Sequence, residues 1–163
     1  MMQSNSLYRR LYRNFGYPLQ ALAALIIYGF YAILPPRIAS SVGGWVGRTV
    51  GPHLNYHHRA IASIKRAFPH YSEIVLNETA TEMWDNLGRV LAELPHLKRI
   101  SEEHLEIVGE EHIAEVKTNG SSCIFFSGHF ANWELFTTAD QKIGISYAQA
   151  YRAPNNQFID AML

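Results

Sequence analysis

His129 and Glu134 are the residues of this chain best suited to moving a proton. An imidazole that titrates near neutrality is followed five positions later by a carboxylate able to hold it in one tautomer. The spacing alone carries little weight, since eight histidines and fourteen acids should produce about one such pair by chance. Its setting carries more. Thr118-Asn119-Gly120 has turn chemistry, Ser121 to Ser127 predicts a short buried strand, and Asn132 to Lys142 predicts a helix with Leu135, Phe136 and Ala139 inward. Five residues of helix turn through about 500°, so His129 and Glu134 can meet only if His129 precedes the helix. Gly128 suits a sharp bend there. On residues alone the alternative is a surface histidine beside a helix-capping carboxylate. A Ser127-His129-Glu134 triad is disfavoured, because no Gly-x-Ser-x-Gly elbow surrounds Ser127.

Two blocks carry a family resemblance. Ser127-Gly128-His129-Phe130-Ala131-Asn132-Trp133-Glu134-Leu135 resembles the His-x4-Asp/Glu block of the late acyltransferases of lipid A biosynthesis, the lauroyl and myristoyl transferases of the glycerolipid acyltransferase superfamily. Tyr151 to Asp160 is similar to that family's Tyr-Arg segment, with Tyr151, Arg152, Asn156 and Asp160 in matching places and Ala153 and Gln157 where prolines are usual. Weaker similarities lie at Leu34-Pro35, Gly43 to Gly51, Arg59, Phe68-Pro69, Asn86-Leu87-Gly88-Arg89 and Glu93.

The resemblance implies that His129 is the general base, that Glu134 orients it, and that Arg152 and Asn156 bind substrate. It implies an acyl thioester donor, acyl carrier protein, and a hydroxyl acceptor on a lipid A precursor or related glycolipid, with no metal and no cofactor. A lysophospholipid or a phosphatidylinositol mannoside as acceptor would use the same chemistry. The competing class is a catalytically inactive membrane-binding fragment. The resemblance also implies a bacterial inner-membrane location with the catalytic domain on the cytoplasmic side, and a chain that is the N-terminal part of a longer protein.

The elements that would position these residues predict an α/β fold, a mixed sheet flanked by helices with an N-terminal membrane-associated helix. Leu105-Glu106-Ile107-Val108 alternates like a strand, Glu110 to Lys117 predicts a helix, and Ile145 to Ala150 predicts the next strand. A right-handed strand-helix-strand unit would bring Arg152 to the sheet edge that displays His129, where a guanidinium could hold a phosphate or an oxyanion. A surface ion pair with Asp160 or Glu134 is the alternative for Arg152. Residues 1–40 divide off as a basic N-terminus and anchor helix, and 41–163 as the N-terminal part of the acyltransferase domain.

The zero net charge conceals an asymmetry. Eight cations and no acid precede Glu73; the other six cations and all fourteen acids lie from Glu73 onward. A basic segment beside an apolar one suits anionic membrane lipids, each cation contributing on the order of 1 kcal/mol near such a surface. Nucleic acid is disfavoured, because no stacking platform or groove-reading motif accompanies the charge. Pro18 to Leu34 is uncharged and, as a helix, roughly 25 Å long, close to the roughly 30 Å of a bilayer core. A span, an interfacial helix, a cleaved signal peptide and a buried core helix all remain open for it.

Ser72 suits the cap of a helix from Glu73 to Leu94 whose stripe of Ala80, Met83, Trp84, Leu87, Leu91 and Leu94 fits core packing better than an acyl channel. His53-x3-His57-His58 lacks a third metal ligand and fits a solvated helix face. Gly43-Gly44 and Gly47 fit close packing beside the membrane helix. Cys123, the one cysteine, has no partner for a disulfide within the chain and no evident activation.

Overall fold

The computed structural model describes residues 12–120, 122–144, 148, 150 and 152–161. These are 74% helical and contain no strand. The expected α/β class is therefore corrected: no mixed sheet forms among the described residues. Leu105-Glu106-Ile107-Val108 and residues 122–127 are irregular, and most of Ile145 to Ala150 lies outside the described residues. The physical reason is backbone pairing. Alternation and apolar runs report what side chains need, whereas a strand exists only when its N–H and C=O groups find a neighbouring ladder. Ile124 and Phe126 are instead exposed.

The chain divides into two compact units, Leu34–Ser146 and a second made of Met1–Ile33 with Tyr147–Leu163. In the second, helix α1 (Tyr17–Ala32) continues a π-helical turn at Tyr12–Gly16. Together they make one uninterrupted helix of 21 residues, mean hydropathy 1.3, long and apolar enough to cross a membrane. At 1.5 Å per residue it reaches roughly 30 Å, longer than the sequence suggested because the helix begins before Pro18. Leu19, Leu22, Leu25, Ile26, Ile27 and Phe30 are all exposed.

The larger unit is built on two helices, α2 (Pro36–Val50) and α4 (Glu73–Glu93), with α3 (His57–Ala67) packed against α4. Ser72 caps α4 as expected, its hydroxyl accepting from the Val75 N–H at 3.4 Å. The buried face of α4 is Leu76, Ala80, Trp84, Val90 and Ala92; Met83 and Leu91 of the expected stripe are exposed. Full burial of a Leu or Val side chain contributes roughly 1.5–3 kcal/mol. The glycines of α2 meet α4: a Cβ on Gly43 or Gly47 would collide with the backbone of Gly88 or Trp84.

Beside this contact Asp85 pairs with both Arg48 and Arg89, and Arg89 also donates to the Ser40 hydroxyl at 3.3 Å. His57 departs from the solvated reading. It is 9% exposed, and its Nδ1 accepts from the Trp84 indole N–H at 3.1 Å, which puts the proton of the neutral ring on Nε2. After α4 come a 3-10 turn at Leu94–His96, α5 (Leu97–His104) and α6 (Glu110–Asn119). Gly120 ends α6 at φ 61, the left-handed conformation that its turn signal implied.

Candidate active site

The segment from Ser127 to Leu135 is a loop leading into a 3-10 turn, Trp133–Leu135, and then into α7 (Phe136–Ile143). His129 therefore does precede the helix, and it is exposed. The bend is made differently from expectation. Gly128 is not among the residues with positive φ; Ala131 takes that role at φ 45, alone among the described non-glycine residues. Gly128 instead makes room for the Phe130 ring, which a Cβ there would strike.

Asn132 organises the turn. Its Oδ1 accepts from the Glu134 N–H at 3.2 Å, while its Nδ2 donates to the Glu93 carboxylate at 2.6 Å. One residue earlier, the Ala131 carbonyl accepts from Asn86 Nδ2 at 3.0 Å. Asn86 and Glu93 are seven apart on α4, and seven residues of helix return to nearly the same face. Both tethers thus come from one side of one helix.

The His129 ring packs against the Trp133 ring at 4.8 Å between centroids. The Trp133 indole N–H in turn donates to Glu134 Oε1 at 2.8 Å. Trp133 thus touches both sequence-predicted residues, and no hydrogen bond joins His129 to Glu134 among the described residues. Next to the loop is an open groove of about 410 Å³, within the range of small-molecule sites. Ile107, Val108, Phe130, Trp133 and Phe136 line it with apolar side chains, and Glu106, Ser127, Gly128 and Asn132 line it as well. Its surface suits a hydrocarbon chain better than a charged ligand.

Arg152 and Asn156 lie in the other unit. Arg152 is exposed. Asn156 is 5% exposed and donates through Nδ2 to the Tyr17 carbonyl at 2.9 Å and to Gln20 Oε1 at 3.2 Å. Its Oδ1 caps α8 (Gln157–Asp160) by accepting from the Phe158 N–H at 3.0 Å. The buried side chain therefore ties α8 to α1. Tyr151 lies outside the described residues, and no cluster of three metal-ligating side chains occurs among those described.

Asn86 and Glu93 show no role in the sequence alone, and neither do Asn132 and Trp133. The available signal was the seven-residue interval between two polar side chains on an otherwise half-buried helix. Residues 10–163 match the family model described as bacterial lipid A biosynthesis acyltransferase. No curated protein and no solved structure matches the chain.

Proposed function

We infer, for a chain that belongs to the bacterial lipid A biosynthesis acyltransferase family, that His129 is the base of an acyl transfer from a thioester of acyl carrier protein to a hydroxyl of a lipid A precursor. Acyl transfer of the lipid A type follows from the family; the donor, the acceptor and the base are the proposal. The observation that carries it is the display of His129. An exposed imidazole stands on a tethered loop, beside an apolar groove, inside the segment that carries the family's His-x4-Glu block.

The imidazole takes the proton of the acceptor hydroxyl, and the oxygen adds to the thioester carbonyl. Collapse of the adduct forms the ester, breaks the C–S bond and expels the thiolate, which recovers the proton from the imidazolium. A thiolate leaves more readily than an alkoxide, so no strong acid is required of the remaining residues. Glu134 supports the base through Trp133, whose indole N–H donates to Glu134 Oε1 while its ring packs on the His129 ring. The acyl chain lies in the groove, and Arg152 serves the acceptor through paired donors to a phosphate, while Asn156, buried and bonded to α1, holds the segment that follows Arg152.

The apolar helix from Tyr12 to Ala32 anchors the protein in the inner membrane, with anionic headgroups drawn to the basic N-terminal half and the catalytic residues on the cytoplasmic side. Incubation of the full chain with an acyl carrier protein thioester and a phosphorylated glucosamine-disaccharide acceptor should give a product heavier by one acyl group in the mass spectrum. Transfer only to a lysophospholipid would replace the acceptor, and no transfer to any hydroxyl lipid would remove the reading. Deleting the first 36 residues should move the protein from the membrane to the soluble fraction. Undiminished membrane retention would overturn the anchor.

A further inference from the structure

We infer that Asn86 and Glu93 are positioning residues for His129: they hold the loop at Ala131 and Asn132 and so fix where the base is displayed. The inference rests on the reading of His129 as the base. An exposed histidine with one described ring contact has little to hold it in place. Its backbone must do so. Phe130 N–H donates to the Gly128 carbonyl at 2.9 Å, and Leu135 N–H to the Asn132 carbonyl at 3.2 Å, so the segment is folded on itself on both sides of Ala131. Ala131 is the pivot, in a left-handed conformation that L-residues other than glycine rarely hold without outside support. The described support is the bond from Asn86.

Glu93 points the same way from a different direction. It is the last residue of α4, ahead of the 3-10 turn, and its carboxylate accepts from Asn132 Nδ2 at 2.6 Å. That acceptor orients the Asn132 amide so that the oxygen faces the Glu134 N–H.

Exchange of donor and acceptor tests the clamp. Asn132→Asp places one carboxylate against another and should lower kcat at least tenfold with KM within about twofold. Adding Glu93→Gln restores a donor opposite an acceptor and should recover kcat to within about threefold of the parent. Hydrogen exchange over residues 128–136 should accelerate in the single variant and return in the double, with α2 unchanged. Asn86→Ala should show the same loss without rescue by Glu93→Gln.

A double variant no better than Asn132→Asp in both rate and exchange overturns the clamp, even where His129→Ala is inactive. Conversely, full turnover by His129→Ala with exchange still responding to the swap removes the base and leaves the clamp standing as a structural tether. Exchange that recovers without kcat recovering overturns the positioning role.

Discussion

His129→Ala should lower kcat for acyl transfer by roughly 10²–10⁴-fold, the usual contribution of a positioned general base. The protein should remain as stable as the parent. The His129 side chain is exposed, and its described partner is the Trp133 ring, so the expected change in folding free energy is within about 0.5 kcal/mol. This separation of activity from stability is what makes the variant decisive. Loss of rate with an unchanged melting curve assigns the proton transfer to this ring. Turnover equal to the parent removes His129 as the base. Glu134→Ala should cost less, because its carboxylate bonds to Trp133 and meets the imidazole only through that ring. A larger loss for Glu134→Ala than for His129→Ala would reverse the two roles.

The site was legible in sequence where one residue type does one local job. His129 before a helix, Ser72 as a cap and Gly120 as a left-handed helix end each follow from the chemistry of a few adjacent residues. What was not legible depends on partners far along the chain. The stretch at residues 122–127 has the composition of a strand, yet a strand is a property of two segments, and no ladder accompanies this one among the described residues. His57 looked solvated because its partner, the Trp84 indole, lies 27 residues away. The tethers from Asn86 and Glu93 span 45 and 39 residues, so nothing local announces them. Asn156 shows the reverse hazard. It occupies a family position, and its side chain is also taken up by hydrogen bonds to α1.

Gly88→Ala should lower the melting temperature, although helix propensity alone favours alanine by about 1 kcal/mol. A methyl at Gly88 would come within 3.0 Å of the Gly43 carbonyl, and one at Gly47 within 3.0 Å of the Trp84 carbonyl. These are backbone atoms and cannot rotate away. The helices must part, which loosens the buried Ala39 and Ala92 and the salt bridge from Arg48 to Asp85. Overpacking of this kind costs about 1–3 kcal/mol or more, and outweighs the propensity gain. For a chain of this size each kcal/mol is worth about 2–4 °C, so Gly47→Ala and Gly88→Ala should each melt several degrees lower, and Gly88→Leu lower still. Gly29 supplies the opposite sign, since nothing lies within 4 Å of a Cβ built there, and Gly29→Ala should be neutral or stabilising. Unchanged melting of Gly88→Leu would show that the two helices do not make this contact. The effect should also reach the site. Gly88 lies about 200° around α4 from Asn86, so the helix presents its glycine to α2 and its tethers to the loop from opposing faces. A shift that relieves the clash moves the tethers with it, and Gly88→Ala should therefore lose acyl transfer at temperatures where it is still folded.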